Sequence, residues 1–192
     1  MGKIYDELDE RLIEFIEAQQ IFFVASAPAG PEGHVNLSPK GLDALRVLDG
    51  HTVAYQDLAG SGAETIAHVR QNGRLTIMFC AFAGPPRILR LYGRGEVLES
   101  AHADFGELAG RFLERSNTRS IIRLEVTLIA DSCGMGVPLF DYLEERDQLP
   151  RWAERKGPDG ITAFMQKHNA SSIDGLPTLE SLESGALRAP ED

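Results

Sequence analysis

The chain has 192 residues, of which 43% are hydrophobic and 25% charged, as is usual for a soluble globular protein of one domain or one domain with an appendage. Its formal net charge of -10 and pI near 5.0 argue against nucleic-acid and anionic-membrane partners, because both favour a basic protein surface. Any anion-binding site must therefore be local.

The sequence predicts a protein of the cytoplasm. Residues 1–20 carry acidic side chains throughout and no continuous apolar run, so neither a secretory signal nor a transit peptide is expected. The longest apolar run, 77–83, is too short to cross a bilayer. Cys80 and Cys133 lack metal-type spacing and are predicted to be reduced thiols, and the five histidines are scattered, so no metal site is predicted.

The first part of the chain predicts one helix and four strands. Apolar residues at helical spacing predict an amphipathic helix, and the β-forming runs after it predict strands. The predicted segments are a helix over 6–20 and strands over 21–25, 34–38, 45–48 and 52–56. Asp49 and Gly50, between the last two strands, predict a hairpin with a tight primed turn.

The middle of the chain predicts the rest of an antiparallel sheet. The predicted segments are a short helix that ends at Asn72-Gly73, strands over 74–82 and 87–99, a helix over 103–114 and a strand over 122–128. Gly93 and Gly95 indicate a bulge or bend of the kind that curls a sheet into a barrel. About six strands and a few helices predict a closed or half-closed antiparallel barrel.

Beyond residue 132 the composition changes. Residues 133–178 are predicted to form an extension that packs on the barrel, with a glycine-rich crossing at 133–138 and a helix over 149–168. Residues 179–192 have weak periodicity and end in proline and acids, so a flexible tail is predicted.

Two polar turns are candidates for an anion site. In the second turn, Ser61 is followed three residues later by Glu64, which is the spacing of a capping box that begins a helix. Such a helix start favours phosphate through its free N–H groups and its dipole. Gly62 would allow an anion to approach closely, and Thr65 adds a hydroxyl.

The first turn, 37–41, contributes Lys40, which would supply the full positive charge that a dianionic phosphate needs. The alternative is that Ser61 and Glu64 only cap a helix and that Lys40 is a solvent-exposed turn lysine. These residues alone do not decide between the two interpretations, and the surrounding architecture is needed.

Taken in chain order, these elements resemble the pyridoxamine 5′-phosphate oxidase-like family, the group with an FMN-binding split β-barrel. The resemblance covers about residues 6–132. The segments that carry it are the leading helix, the strand 21–26, Ser38-Pro39-Lys40-Gly41, the crossing 55–65, Asn72-Gly73-Arg74-Leu75 and the run 89–95. It implies a mainly β fold of the α+β class, namely a six-stranded antiparallel split β-barrel with flanking helices, in which residues 1–132 are the FMN-binding domain.

The resemblance further implies a homodimer with FMN at the subunit interface. The residues that it places at the cofactor are Ser38, Lys40, Tyr55, Asp57, Ser61, Gly62, Thr65 and Arg90. Ser38 and Lys40 would lie on the first phosphate-facing strand and turn, with the 61–65 turn near the ribityl phosphate. Tyr55 and Asp57 would border the ribityl chain or the ring, and Arg90 would reach the phosphate or the ring carbonyls.

The implied function is an FMN-dependent oxidoreductase acting on a small organic substrate, with NADH or NADPH as a candidate donor. The alternative is a non-catalytic protein that holds FMN or haem for storage or sensing, and the deazaflavin F420 is a further candidate cofactor. A flavin needs no triad or carboxylate pair from the protein, and no catalytic residue is assigned. Cys133 is either a small buried residue or a redox partner near the ring, and His68 is predicted to be a solvated helical residue.

Overall fold

The computed structural model describes residues 2–183, which form eight strands and five helices. The strands are β1 (Ile4–Tyr5), β2 (Phe22–Ser26), β3 (Asn36–Lys40), β4 (Leu45–Asp49), β5 (Thr52–Leu58), β6 (Arg74–Cys80), β7 (Ile88–Leu98) and β8 (Thr118–Ser132). The helices are α1 (Glu10–Glu17), α2 (Glu64–Asn72), α3 (Phe105–Ala109), α4 (Gln148–His168) and α5 (Glu180–Glu183). No helix in this range is long and apolar enough to span a membrane.

All eight strands belong to one antiparallel sheet. Its order is β3-β2-β6-β7-β8-β5-β4, with β1 paired to β8 outside this path. The fold is therefore mixed α+β, and the predicted antiparallel pairing is confirmed. The seven predicted strand segments occur as β2 to β8, but the expected barrel of six strands is wrong, because the sheet has eight strands. The sequence signal for β1 is weak because this strand has only two residues. Side chains also hold β1 in place, since the Tyr5 hydroxyl donates a hydrogen bond to Asp131 at 2.5 Å.

The sheet curls strongly upon itself. Phe22 in β2 lies edge-on to Tyr55 in β5 with ring centroids 5.7 Å apart, although three strands separate β2 from β5 in the sheet order. Among the described residues no backbone pairing joins β3 to β4, so closure of the predicted barrel is not observed. Side chains of β3 and β5 nevertheless meet across the gap, as Lys40 and Asp57 show.

The hydrophobic core fills the inside of this curl. Strand residues at alternate positions point inward, and the largest fully buried side chains include Tyr55, Phe79, Ile77, Leu89, Leu91, Ile122 and Leu124. Helix α1 covers one end through Leu12 and Ile16, and it begins where the Asp9 carboxylate accepts a hydrogen bond from the Leu12 N–H at 2.9 Å. Helix α1 is shorter than the predicted helix over 6–20. Helix α3 is likewise shorter than the predicted helix over 103–114.

Two local predictions have different outcomes. The hairpin of β4 and β5 is confirmed, but its turn is not primed, because neither Gly50 nor His51 has a positive φ. The Asp49 carboxylate instead accepts a hydrogen bond from the His51 N–H at 2.8 Å. The bulge expected near Gly93 is confirmed by a shift of the β7–β8 register between Tyr92 and Gly93.

The C-terminal extension packs around α2 and the sheet. Helix α4 is broken at Gly157, whose φ of 65° is followed by Pro158. At its end Asn169 is fully buried and donates to the Gly60 carbonyl at 2.8 Å. Of the predicted flexible tail, residues 179–183 are described: Leu179 is buried and α5 follows it, while residues 184–192 lie outside the described range.

Candidate functional site

A band of polar side chains lines the inner face of β3. Asn36, Ser38 and Lys40 alternate along this strand with exposed residues. Lys40 and Ser38 pair with Phe22 and Val24 of β2, which belong to the buried core, so the three polar side chains face the interior. The edge strand therefore presents an amide, a hydroxyl and an ammonium to the inside of the curled sheet.

A buried ion cluster occupies one end of this band. The carboxylate of Asp57 accepts from Lys40 Nζ at 3.1 Å through Oδ1 and from Arg119 Nε at 2.7 Å through Oδ2. The side chains of Asp57 and Arg119 are 1% and 5% exposed, and that of Lys40 is 20% exposed. Strands β5 and β8 place Asp57 opposite Ser120, so the register of this pair brings Arg119 to the carboxylate.

The ionisation of Asp57 depends on its two cations. Burial by itself would raise the pKa of this carboxyl, but the charges and hydrogen bonds of Arg119 and Lys40 outweigh burial and lower the pKa to about 2. Asp57 is therefore ionised at neutral pH, and the cluster of one carboxylate and two cations carries a net charge of +1.

This pKa predicts a stability loss in acid. Because the folded-state pKa of Asp57 lies below its ordinary value of 3.8, the carboxylate stabilises the fold above about pH 4, and this contribution is lost as the pH falls through about 2. It amounts to about 2 kcal/mol at neutral pH. Urea unfolding across this pH range should show the loss, and Asp57→Asn should flatten that part of the profile; an unaltered profile would contradict the assignment.

The other end of the band is a neutral hydrogen-bonded cluster. Asn36 Nδ2 donates to Thr65 Oγ1 at 3.0 Å, and Ser38 Oγ donates to Asn36 Oδ1 at 2.9 Å. Ser26 Oγ lies 3.0 Å from His68 Nδ1. These bonds tie β2 and β3 to the first turns of α2, so the segments around residues 38 and 65 do meet.

His68 is fully buried, and the prediction of a solvated helical residue is wrong. It lies on the face of α2 that packs against β2, where Ser26 is its partner. Burial lowers the pKa of His68, so the ring is neutral at neutral pH. Its Nε2 is buried and has no hydrogen-bond partner among residues 2–183.

Tyr55 connects the two ends of the band. The Lys40 ammonium lies 5.2 Å from the centre of its ring, and its hydroxyl lies towards Thr65. Burial raises the pKa of Tyr55 well above its usual value, and the Asp57 carboxylate raises it further, so the phenol keeps its proton. The hydroxyl is buried and makes no hydrogen bond of ordinary geometry with residues 2–183.

The ion cluster has the properties of an anion site. Arg119 Nη1 is buried without a hydrogen-bond partner in the described part of the chain, as is the Tyr55 hydroxyl. A buried excess of positive charge is costly unless an anion compensates it, and guanidinium suits phosphate geometry. Lys40, Asp57 and Arg119 therefore fit a phosphorylated ligand.

Five of the eight residues that the sequence placed at a cofactor lie together, either in this band on β3 or in the clusters at its two ends. They are Ser38, Lys40, Tyr55, Asp57 and Thr65. Ser61 is exposed outside it, and the predicted capping box is wrong, because α2 begins at Glu64 with Ala63 as N-cap and no side chain caps it. Glu64 instead accepts from the Ile173 N–H at 3.3 Å, and its carboxylate lies beside Gly62, where an anion was expected.

Arg90 is not brought to the band within one chain. It pairs with Met78 across β6 and β7, and Met78 pairs with Phe23, which places Arg90 on the outer face of the sheet. There its Nη1 donates to Ser132 Oγ at 3.0 Å. The strand alternation could have shown this, because Arg90 lies between the core residues Leu89 and Leu91.

Four polar residues of the band and its end clusters were not predicted as site residues, namely Ser26, Asn36, His68 and Arg119. Asn36 had a usable signal, since it is two residues from Ser38 on the same strand face. Arg119 had no such signal in the sequence. It is 62 residues from Asp57, and only the register of β5 against β8 brings the two residues together.

The cysteines lie outside the band. Both are free thiols, as predicted, but Cys133 is exposed rather than buried, and Cys80 is buried. No group of histidine, cysteine and acidic side chains in residues 2–183 is arranged to hold a metal ion.

Comparison with known proteins places this architecture in a family. The sequence profile of the pyridoxamine 5′-phosphate oxidase family matches residues 8–133, which is more than half of the chain. The chain belongs to the pyridoxamine 5′-phosphate oxidase family. A curated member, the pyridoxamine 5′-phosphate oxidase family protein ustO of Aspergillus flavus, is 38% identical over 198 residues, covering 94% of this chain and 79% of ustO.

Solved structures agree with this family at the level of the fold. The HupZ protein of Group A Streptococcus superimposes with a TM-score of 0.53 at 20% identity, covering 65% of this chain and 99% of that chain. A Lactobacillus delbrueckii structure gives a TM-score of 0.51 at 13% identity, covering 66% of this chain and 98% of that chain. The family profile ends at residue 133, so the extension that follows β8 lies outside the matched segment.

Proposed function

We propose that this member of the pyridoxamine 5′-phosphate oxidase family is an FMN-dependent oxidoreductase acting on a small organic substrate, on a split β-barrel. The single observation that carries the proposal is the net positive charge of the cluster of Lys40 with the buried side chains of Asp57 and Arg119, in which a guanidinium nitrogen is left unpaired among residues 2–183. Such a group suits the phosphate of FMN, because charge-assisted bonds from a fixed guanidinium and an ammonium are strong. The same phosphate chemistry keeps F420 as an alternative.

The residues of the band have distinct roles in this proposal. Asp57 holds Lys40 and Arg119 in place before a ligand arrives, which reduces the ordering cost of binding. Ser38, Thr65 and the protonated Tyr55 hydroxyl offer neutral hydrogen-bonding groups for a polyhydroxylated chain. A bound flavin would supply hydride transfer to or from a substrate, with NADH or NADPH as donor.

We further propose a homodimer that uses the outer face of the sheet. Pairing places Leu37, Ala25, Thr76, Tyr92 and Leu128 in one row across five strands. Leu37 is 62% exposed and Leu128 40% exposed, and a second copy would remove both from water. Arg90 lies on this face, so in such a pair it would face the partner subunit.

The absorption spectrum of the purified protein tests the proposed function. We expect a yellow protein that bleaches on addition of NADH or NADPH and has the mass of two chains by light scattering. A yellow protein inert to every donor would favour the non-catalytic FMN-binding alternative. A Soret band would replace flavin by haem, and a colourless protein that takes up no added flavin would contradict the proposal.

Lys40→Ala tests the proposed phosphate contact. Removing the ammonium takes the net charge of the cluster from +1 to zero and leaves the Asp57–Arg119 pair intact. The loss of a charge-assisted bond should weaken FMN binding about tenfold or more, measured by quenching of FMN fluorescence. Lys167→Ala, on the exposed end of α4, is the matched control, and equal affinity of the two variants would remove Lys40 from the site.

A further inference from the structure

A cleft lies beside the band, at the end of the sheet where β2 begins and β3 ends. Its volume is about 430 Å³, within the range of sites for small organic ligands. Its floor and walls are apolar and partly aromatic, formed by Ile16, Phe22, Leu45, Val47 and Phe79. The cleft is therefore large enough and apolar enough for a molecule with a single ring.

The rim of this cleft is acidic. Glu17, Asp43 and Glu145 reach it, and the only cation that lines it among residues 2–183 is Arg46. The Arg46 guanidinium is already engaged with Asp43 through two contacts of 2.8 Å. Glu17 and Glu145 are exposed and, in the described part of the chain, belong to no ion pair, so the rim presents two carboxylates that a cation can reach.

Glu145 is delivered by the extension. The segment 133–147 runs from the end of β8 to the start of α4, and the Phe140 N–H donates to the Phe82 carbonyl at 2.9 Å. The rings of these two residues pack with centroids 5.3 Å apart. Further along, Glu145 accepts from the Leu42 N–H at 3.2 Å, which fixes its carboxylate at the rim.

The cleft adjoins the proposed cofactor site through one wall. Phe22, which lines the cleft, lies edge-on to the Tyr55 ring with centroids 5.7 Å apart and pairs with Lys40 across β2 and β3. Gly41, the residue after Lys40, also lines the cleft. A ligand in the cleft would therefore lie next to the polar band, separated from it by one aromatic layer.

We infer that this cleft binds a small organic cation, with an apolar ring against Phe22 and Phe79 and a protonated amine at Glu145 and Glu17. The role of this amine as a substrate rests on the proposed function. The binding of the amine in the cleft does not. Carboxylates at the rim attract an ammonium, and the apolar residues of the lining favour a ligand that also carries an apolar ring. Residues 133–147, which lie almost wholly beyond the family match, thus contribute to substrate selection.

Binding of benzylamine to the purified protein tests this inference. Benzylamine, protonated at neutral pH, should bind and shift the ring signals of Phe22 and Phe79 in NMR titrations, while benzoate of the same size should not. Glu145→Gln and Glu17→Gln should each weaken benzylamine about fivefold, and added salt should weaken it further. The neighbouring exposed Glu144→Gln is the control and should bind as the unmodified protein does.

The outcomes separate this inference from the proposed function. Equal binding of benzylamine and benzoate, or affinities unchanged in both glutamine variants, would overturn the cationic cleft even if the protein proves to be a flavoprotein. Selective benzylamine binding that depends on Glu145, by a protein that is colourless and takes up no added flavin, would support the cleft and overturn the proposed function instead.

Discussion

Replacing Asp57 with alanine is expected to lower the free energy of unfolding by about 3–5 kcal/mol. The substitution leaves Lys40 and Arg119 without a counter-ion at a place where Arg119 is 5% exposed. Two like charges then face each other in a medium that solvates them poorly, and the cost is much larger than that of losing a surface pair. Equilibrium unfolding in urea measures the change.

Asp147→Ala is the matched control for this substitution. Asp147 also pairs with an arginine, Arg151, at 2.7 Å, but both side chains are more than half exposed, so little change in stability is expected. Inorganic phosphate should restore part of the stability lost in Asp57→Ala, more than chloride at equal ionic strength, because it can compensate the two cations. A small loss in Asp57→Ala, similar to that of the control, would mean that the cluster is well solvated and does not need an anion.

Substitution of Gly93 by alanine should also destabilise the fold severely, by about 3 kcal/mol or more. Gly93 lies at the bulge where β7 and β8 shift register, and a Cβ there would overlap the Glu125 carbonyl oxygen. The obstacle is backbone in the longest strand, so it cannot be relieved by rotation of a side chain. Thermal or urea unfolding of the purified variant would show the loss, and an insoluble variant would be consistent with it.

Gly106→Ala provides the comparison. Gly106 lies inside α3, where an added methyl group would meet no atom within 4 Å, so alanine should leave stability unchanged or raise it by up to about 1 kcal/mol. If Gly93→Ala were as stable as Gly106→Ala, the strands would have to separate easily at the bulge, contrary to the described pairing.

Much of the sheet could be predicted from local sequence. The predicted strand over 74–82 contains β6, an interior strand between β2 and β7, and Gly93 marked the bulge. These features are predictable because a strand's pattern of burial and a glycine's backbone freedom are local properties. The eighth strand was not predictable, since β1 depends on two pairings with β8, more than 120 residues away.

The candidate site was predictable only in part, for the same reason. Ser38 and Lys40 could be found because they share one face of one strand, and Tyr55 and Asp57 share another. The capping-box prediction failed because the N-cap is Ala63 rather than Ser61, and the Glu64 side chain is used by the extension. Arg119 depends on the register of β5 against β8, which no local motif encodes.

The gap between β3 and β5 has a mechanical consequence. Across it the two sides are joined by side chains, chiefly the salt bridge of Lys40 to Asp57, and the described residues show no backbone ladder there. Separating them breaks a few side-chain contacts, whereas separating two strands that are paired in the sheet breaks a row of backbone hydrogen bonds. The curled sheet should therefore open most easily at this gap. Lys40 and Asp57, which close it, are also residues of the proposed phosphate site.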